Sequence, residues 1–214
     1  MIISRVMVKN PLFIHPGMTI NEVRSLMDRE KIGHLPVLDK NNALVGLVTR
    51  RGLLKAAPSA ATSLDMYEIS YLLSKMTVND VMEKAVITVG ENEVIEDAAR
   101  IMADNRIGCL PVMRGKLLVG IITDTDLFNA FVNAFGARHP GIRLICSVQE
   151  KPGQIARLTH AIAEKGGNLV AFVTSEGDDL SMRRLTLKVS GISRGDIESI
   201  IRGLGDVQLE DIRG

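Results

Sequence analysis

The sequence predicts an α+β protein with two parts, residues 1–138 and residues 139–214. Three observations support this prediction. A block of the first part recurs further along the chain, and apolar residues fall alternately at helical and at strand spacing within each copy. The last third then shows its apolar runs and turns in the order strand, helix, strand, strand, helix, strand.

Composition excludes several classes of function. The 214 residues are 46% hydrophobic and 24% charged, which is typical of a soluble globular protein. Lys and Arg total 26 against 25 for Asp and Glu, and aromatic residues make up only 3%, so nucleic acid is not an expected partner. The longest apolar runs have the length of strands, and no signal peptide is evident. We therefore expect a cytoplasmic protein without a membrane partner.

The residues that usually carry catalysis are scarce and scattered. Cys109 and Cys146 lie in apolar, strand-like runs, without a CxxC pair, and the four histidines never fall at metal-ligand spacing. The sequence has no GxSxG, HExxH, GxxxxGK[ST] or GxGxxG motif. We therefore predict neither a bound metal nor an enzyme, and two buried thiols.

The repeat organises the first part. Residues 32–37, IGHLPV, recur 75 residues later as 107–112, IGCLPV. After one deleted residue in a turn, LVGLVT at 44–49 aligns with LVGIIT at 118–123. Copy one then covers about residues 1–58 and copy two about 76–138, and the spacing of Met66, Ile69, Leu72 and Leu73 predicts a connector helix over about 59–75. Two such copies should pack about a pseudo-twofold axis.

Each copy is predicted to consist of a short strand, a helix, a strand hairpin and a second helix. In copy one, Thr19-x-x-Glu22 is a capping box, and Gly33 follows the helix where a left-handed cap is expected. Strands at 35–38 and 44–48 follow, joined by the turn 39–42. The corresponding helix of copy two is marked by its apolar stripe, Ile95, Ala98, Ile101 and Met102.

A second apolar stripe lies at the end of copy two. Phe128, Phe131, Val132 and Phe135 recur at helical spacing, and Ala137-Arg-His-Pro-Gly141 then indicates a boundary. The stripe packs either inside the repeated unit or against another subunit or domain.

The end of the hairpin in copy two carries a family signature. Gly120-Ile-Ile-Thr-Asp-Thr-Asp126 fits the pattern of glycine, two hydrophobic residues, Thr or Ser, two variable residues and Asp, whereas copy one has Gly52 in place of the aspartate. With the LPV strands, this makes residues 1–138 resemble a tandem pair of cystathionine-beta-synthase (CBS) motifs, the Bateman module.

The resemblance implies a cleft for an adenine nucleotide such as AMP, ADP, ATP or S-adenosylmethionine, bound as a regulatory ligand. In the family, the aspartate accepts hydrogen bonds from the ribose hydroxyls, and each cleft joins this loop to the lead-in segment and second strand of the other motif. Carried over, the cleft consists of Met7, Leu12, Ile32, Gly33, His34, Ile121, Thr123 and Asp126, with Arg50 and Arg51 as candidates for phosphate. Asp126 would otherwise only cap a helix, the arginines would be solvated, and His34 would either cover the nucleotide or cap a strand.

A second, weaker cleft follows from the same resemblance. It would be lined by Thr49, Met82, Ile87, Ile107, Gly108 and Cys109. Without a carboxylate at Gly52 it loses charge-assisted hydrogen bonds of about 1.5–3 kcal/mol each.

The last third has the βαββαβ order of a ferredoxin-like fold. Its Glu150-Lys-Pro-Gly153 turn and Gly167-Asn-Leu169 turn resemble those of ACT domains, which often sense amino acids and pair edge to edge. The resemblance marks Glu150, Pro152, Gly153 and Asn168 as ligand candidates, although the family usually has aspartate at the position of Glu150.

Taken together, the two parts resemble the AcuB-type acetoin-utilisation family. The leading interpretation is a homodimeric regulator that binds an adenine nucleotide, with a possible amino acid ligand and a regulated protein partner. The alternative is a partner-binding or assembly protein whose clefts are vestigial, which Gly52 and the phenylalanine stripe favour.

Overall fold

The computed structural model describes residues 1–56, 75–177 and 180–214, and it divides into two units, Met1–Leu127 and Phe128–Gly214. The division falls inside a helix, ahead of the boundary at 137–141 that the sequence predicts. The expected connector helix at 59–75 lies almost entirely outside the described residues. No helix in the described part of the chain is long and apolar enough to span a bilayer.

Copy one follows the predicted order of elements. After a 3-10 turn at Ile3–Arg5 and the short strand β1 (Val8–Lys9), helix α1 spans Ile20–Arg29. The hairpin β2 (His34–Leu38) and β3 (Leu44–Thr49) follows, and α2 (Arg50–Ala56) closes the copy. Thr19 and Glu22 form the predicted capping box, in which the Thr19 N–H donates to Glu22 Oε2 at 2.8 Å.

Copy two repeats this order. It consists of α3 (Val78–Val81), β4 (Val89–Gly90), α4 (Ile95–Asn105), the hairpin β5 (Cys109–Arg114) and β6 (Leu117–Thr123), and α5 (Asp124–Ala134). Its strands form a sheet in the order β1-β6-β5-β4, so the first strand of copy one pairs with the last strand of copy two.

The two copies exchange their lead-in segments. Ile3 of copy one is fully buried in the apolar core of copy two, between α4 and its sheet, and its N–H donates to the Glu93 carbonyl at 2.9 Å. Val78 of copy two is fully buried in the core of copy one in the same manner, and its N–H donates to the Met18 carbonyl at 2.8 Å. Each core is therefore completed by a residue from the other copy.

One local expectation in copy one is wrong. The left-handed residue after α1 is Lys31, with a φ of 55°, and Gly33 has no positive φ. The equivalent residue after α4 is Arg106, also with a φ of 55°. A left-handed helix cap therefore does not explain the glycine at position 33, which directly precedes β2.

The second unit has the predicted order, strand, helix, strand, strand, helix, strand. These elements are β7 (Ile142–Gln149), α6 (Gln154–Glu164), β8 (Asn168–Glu176), β9 (Met182–Ser190), α7 (Arg194–Leu204) and β10 (Gln208–Arg213). The strands form one antiparallel sheet in the order β10-β7-β9-β8. Alternate residues of β7 and β9, such as Leu144 and Leu187, are buried in one core with residues of both helices, such as Leu158 and Ile201.

The phenylalanine stripe is not packed into a core. Phe128 and Phe131 are 69% and 58% exposed, and the ring of Phe131 lies against that of Phe135 with centroids 4.4 Å apart. Of the two arrangements that the sequence allows, the structure therefore disfavours packing inside the repeated unit for Phe128 and Phe131.

Candidate functional site

The segment 8–14 crosses from copy two to copy one beside the predicted cleft. At one end of the segment, Val8 pairs with Ile121 of β6. At the other end, the Ile14 N–H donates to the Pro36 carbonyl at 3.0 Å, and the Leu38 N–H donates to the Ile14 carbonyl at 2.9 Å. The crossing segment therefore joins β6 of copy two to β2 of copy one, the two strands that carry the predicted cleft residues.

Thr123 and Asp126 lie at the end of β6, where α5 begins. Asp126 Oδ2 accepts the Thr123 N–H at 2.8 Å and the Thr123 hydroxyl at 2.7 Å, and the Asp126 N–H donates back to Thr123 Oγ1 at 3.3 Å. This is a reciprocal helix cap. Oδ1 of the same carboxylate has no hydrogen-bond partner among the described residues, so capping leaves one oxygen available to a ligand.

His34 and Asp124 lie close together beside Gly108. A Cβ built on Gly108 would lie 3.2 Å from Asp124 Oδ2 and 3.6 Å from His34 Nε2. Burial lowers the pKa of His34, and the charge of Asp124 opposes that shift. The two distances and the effect of this charge both place the Asp124 carboxylate close to the imidazole.

Gly33, just before β2, has open space beside it. Apart from Gly33 itself and its two chain neighbours, no described residue has an atom within 4 Å of the position that a Cβ would take on Gly33, in contrast to the space beside Gly108. The two glycines occupy equivalent places in the copies, and each carbonyl accepts the N–H of the residue that begins the closing helix, Arg50 at 2.8 Å and Asp124 at 3.0 Å. The backbones are therefore alike, and the side chains make the clefts different.

Arg50 does not point into the cleft. Its guanidinium donates to Asp28 Oδ1 at 2.5 Å and to the Met27 and Ile32 carbonyls at 3.2 Å each, at the end of α1. The side chain of Arg51 is exposed and has no hydrogen-bond or ion-pair partner in the described part of the chain. Of the two arginines, only Arg51 is free of a described partner.

The second predicted cleft has the same backbone with fewer polar groups. Met82 lies against Gly46, as Met7 lies against Gly120 in the first cleft. The Gly52 N–H donates to Thr49 Oγ1 at 2.9 Å, but Gly52 has no side chain to complete the cap. Cys109 is buried, its pKa is raised to about 12 by burial and by Asp124, and Ile87 is exposed.

The structure thus places the residues of the first cleft on three adjoining segments. Met7 and Leu12 come from the lead-in segment, Ile32, Gly33 and His34 from the start of β2, and Ile121, Thr123 and Asp126 from the end of β6 and the start of α5. Leu12 is exposed, and Ile121 is buried. Sequence reasoning missed Asp124, although its acidic side chain at the position of Arg50 in the other copy was a visible difference.

A separate groove of about 280 Å³ lies at the opposite end of β6. It is lined by Asn10, Pro11, Phe13, Leu38, Asn42, Leu117 and Leu118. Because Leu117 begins the strand that Thr123 ends, this groove is not the cleft that holds Asp126.

The second unit has its own groove of about 290 Å³ beside the turn after β7. It is lined by Val148, Gln149, Glu150, Lys151, Gln154, Ile155, Thr174 and Arg183. Glu150 is paired with Arg183 across it. Asn168 pairs with Ser190 at the far end of β9, about 24 Å from Arg183 at the rise of a strand, so one chain does not bring Asn168 to Glu150, Pro152 and Gly153.

Within the described residues, no three His, Cys, Asp or Glu side chains are grouped in a way that could hold a metal ion. The buried thiols carry raised pKa values, about 12 for both Cys109 and Cys146. Such thiols are poor nucleophiles at neutral pH, because the thiolate is the reactive form.

Comparison with known proteins gives a family match over both copies. Residues 3–59 and 78–133 match the CBS domain. A Vibrio cholerae protein assigned to acetoin utilization (AcuB) has a structure that is 30% identical, with a TM-score of 0.54, over 64% of this chain and 95% of that one.

Two further structures contain ligands. The CBS domain pair of protein MJ0100, in complex with 5′-methylthioadenosine and S-adenosyl-L-methionine, is 26% identical with a TM-score of 0.52 and covers 64% of this chain and 98% of that one. CBSX2 in complex with AMP is 28% identical with a TM-score of 0.50, over 61% of this chain and 96% of that one.

Several of the matching curated proteins are longer than this chain. An L-aspartate semialdehyde sulfurtransferase of Methanocaldococcus jannaschii is 27% identical over 131 residues, which are 61% of this chain and 23% of that protein. The chain spans about a quarter of the length of the first such relatives.

Proposed function

The chain belongs to the family of CBS-domain proteins, and on that premise we propose that it is a cytoplasmic regulatory sensor without catalytic activity. Its ligand is an adenine nucleotide or nucleoside, held in the cleft between the two copies. Residues 1–138 form the sensor module and residues 139–214 a second domain. Relatives in complex with AMP, 5′-methylthioadenosine and S-adenosyl-L-methionine support this ligand class.

The observation that carries the proposal is the carboxylate of Asp126. Thr123 fixes its orientation through two hydrogen bonds to Oδ2, and Oδ1 has no described partner. An ionised carboxylate held in this way accepts hydrogen bonds from two vicinal hydroxyls, which a ribose offers. Met7, Leu12 and Ile121 supply apolar surface for the base, and Ile32, Gly33 and His34 form the facing wall. Arg51 is the better placed of the two candidates for a phosphate, because Arg50 is held by Asp28.

The differences between the two clefts favour the binding of one ligand per chain. The first has Asp126 and open space beside Gly33, whereas the second has Gly52 in place of an acid and has Asp124 and His34 beside Gly108. Thr49, Met82, Ile87, Ile107 and Cys109 complete a cleft with little to hold a ribose.

Calorimetry with AMP, ADP, ATP and S-adenosylmethionine tests this function. Wild type should bind at least one of them at about one per chain, and Asp126→Ala should bind about 10- to 100-fold more weakly, as expected for charged hydrogen bonds. Asp80→Ala is the matched control, because Asp80 Oδ2 accepts the Thr77 N–H and hydroxyl at 2.8 Å each in the same capping pattern, on a helix that contributes no residue to the first cleft.

The control should lose its cap and keep its affinity. No binding by wild type, or equal affinity in Asp126→Ala, would refute the nucleotide sensor. Conversion of any of these nucleotides to product would refute the absence of catalysis.

The second domain is proposed to be an ACT domain that binds an amino acid and pairs with a second copy of the chain. The strand order and the groove beside Glu150 support this assignment. Since Asn168 is far from Glu150 and Gly153 in one chain, a site that uses all of them would need two chains. A link to acetoin or related carbon metabolism is supported by the similarity to the Vibrio cholerae protein alone.

A second candidate function is partner binding or assembly through vestigial clefts. The exposed rings of Phe128 and Phe131 favour it, because contiguous exposed apolar surface often marks an interaction site. A chain that binds no adenine compound and is a stable oligomer, which Phe131→Ser dissociates, would support this function instead.

A further inference from the structure

The groove at the start of β6 lies within the first unit, and five of its seven lining residues are apolar. The crossing segment 8–14 forms one side of this groove and is held at both ends. The Asn10 N–H donates to the Val119 carbonyl at 3.2 Å. The Leu38 N–H donates to the Ile14 carbonyl at 2.9 Å. The backbone of the groove is therefore fixed before any occupant arrives, which lowers the cost of binding.

Two large apolar side chains of this groove, Phe13 and Leu117, are exposed. The ring of Phe13 is held in place from outside the groove. It meets the ring of His15 edge to face with centroids 5.6 Å apart, and the His15 Nδ1–H donates to the Leu38 carbonyl at 2.9 Å. Exposed apolar surface gathered in one place often marks an interaction site, and a ring that is already fixed loses little freedom when a partner covers it.

Copy two does not repeat the residues of this groove. At the offset of 75 residues, Ala85 and Thr88 stand where copy one has Asn10 and Phe13. The hairpin turn that carries Asn42 is one residue shorter in copy two. Both copies form the same order of elements, so the repeated fold does not itself require these residues.

The surface around the groove is basic. Lys9 and Lys116 each directly precede a lining residue, and Lys40 lies in the turn of the copy-one hairpin. All three are exposed, and none has an ion pair or hydrogen bond with another described residue. Asp39, the acid of the same turn, is used locally, because its Oδ1 accepts two backbone N–H groups at 2.8 Å each. Three lysines against this one aspartate leave an excess of positive charge.

The polar side chains and the size of the groove suit a peptide. Asn10 and Asn42 are exposed and their amides make no hydrogen bond with a described residue, so each can donate to and accept from a peptide backbone. A volume of about 280 Å³ is at the lower limit of the range of about 300–1,000 Å³ that drug-sized ligands occupy. The groove therefore has room for one or two side chains of an extended segment.

We propose that this groove docks a short segment of a protein partner in which a large apolar side chain is flanked by acidic residues. The apolar side chain packs against Phe13 and Leu117, and the acids face Lys9, Lys40 and Lys116. Opposite charges around an apolar anchor steer the partner to the site and fix its register. The proposal does not rest on the nucleotide function, and it identifies a surface through which a regulated protein binds.

An unbiased peptide selection tests the proposal. A random peptide library displayed on phage is selected on wild type, and peptides that also bind the double variant Phe13→Ser/Leu117→Ser are removed. Both side chains are exposed, so the double variant should remain folded, which circular dichroism checks. Enriched peptides should combine an aromatic or large aliphatic residue with flanking Asp or Glu. No enrichment, or enriched peptides without acids, would overturn the proposal.

Fluorescence polarisation of the best peptide then measures each contribution. Leu117→Ser should weaken binding about tenfold, and Lys116→Glu about threefold at low salt, an effect that should vanish at about 1 M salt. The controls are Leu54→Ser, at another exposed leucine, and Lys84→Glu, at the position in copy two that corresponds to Lys9. They should leave the affinity unchanged, and losses equal to those of the groove variants would overturn the assignment of the groove.

Sedimentation distinguishes a different protein from a second copy of the chain as the occupant. Wild type and Leu117→Ser should have the same oligomeric state over a range of protein concentrations. An oligomer that Leu117→Ser dissociates would show that the groove takes a second copy, and the proposal of a separate partner would then fail.

Discussion

Asp126 is held by Thr123 through a reciprocal cap in which both the backbone N–H and the hydroxyl of the threonine reach one carboxylate oxygen, at 2.8 and 2.7 Å. The residue proposed to bind ribose thus also starts α5. Capping and ligand binding are compatible here, because they use different oxygens of the same carboxylate.

Asp126→Ala should therefore destabilise the protein even without ligand. Loss of the cap should lower the free energy of unfolding by about 1 kcal/mol, within the usual range of about 0.5–2 kcal/mol for such caps. Urea unfolding followed by circular dichroism measures the difference. A variant as stable as wild type would show that Thr123 caps the helix without the carboxylate.

Gly52→Asp should have the opposite effect on α2. The Gly52 N–H already donates to Thr49 Oγ1 at 2.9 Å, so an acidic side chain there can accept the Thr49 N–H and complete the cap. We expect about 1 kcal/mol of added stability in urea unfolding. Gly52→Ala separates the two contributions, since it removes the helix penalty of glycine without adding a cap. Equal gains in both variants would exclude capping as the cause.

The titration of His34 should report the charge of Asp124. Burial lowers the pKa of His34 below its ordinary value of 6.5, and Asp124 partly offsets the shift. Asp124→Asn should lower this pKa further, as followed by the imidazole proton resonances in NMR. A rise in the pKa, or no change, would contradict the proximity of the two side chains.

The lowered pKa of His34 also makes the stability of the protein depend on pH. Because the unfolded chain takes up a proton at His34 more readily than the folded chain does, this residue's contribution to stability is fully present above pH 6.5. It is lost as the pH falls through the lowered pKa of the folded state. His34→Gln should flatten the dependence of stability on pH in that window, measured by urea unfolding at several pH values.

The two cysteines should resist alkylation in the folded protein. Burial raises the pKa of each thiol to about 12, with a smaller contribution from Asp124 at Cys109 and from Glu210 at Cys146. Iodoacetamide at about pH 8, near the ordinary thiol pKa, should modify neither thiol in native protein and both after unfolding in guanidinium, as counted by mass spectrometry. Rapid modification of native Cys109 would indicate that the start of β5 opens readily.

Ile3→Ala should weaken copy two, although Ile3 belongs to copy one by sequence. A buried isoleucine replaced by alanine costs about 2–5 kcal/mol, because a cavity replaces the side chain. Ile2→Ala, at a partly exposed neighbour, is the control and should cost much less. Hydrogen exchange should show the loss of protection in α4 and β5 first, and a loss confined to α1 and β2 would contradict the assignment of Ile3 to that core.

The repeat allowed the order of helices and strands in both copies to be predicted from the sequence, because IGHLPV recurs as IGCLPV 75 residues later. The capping boxes marked the helix starts, as at Thr19. The sequence could not reveal the orientation of the Arg50 side chain, because its ion pair with Asp28 depends on how the end of α1 lies relative to α2. It also predicted Gly33 as a helix cap, whereas Lys31 takes that conformation and Gly33 leaves space at the cleft. The sequence also could not predict that Ile3 and Val78 are each buried in the core of the other copy, because the spacing of apolar residues does not show in which core a residue is buried.

That exchange restricts how the module can respond to a bound molecule. Ile3 and Val78 are each buried in the core of the other copy. The two copies therefore cannot separate without an apolar side chain leaving each core. A response that keeps Ile3 and Val78 buried must occur at the edge of the predicted cleft. The first turn of α5, which Asp124 and Asp126 begin, is such a place, and it is also the start of the helix through which the chain leaves the module.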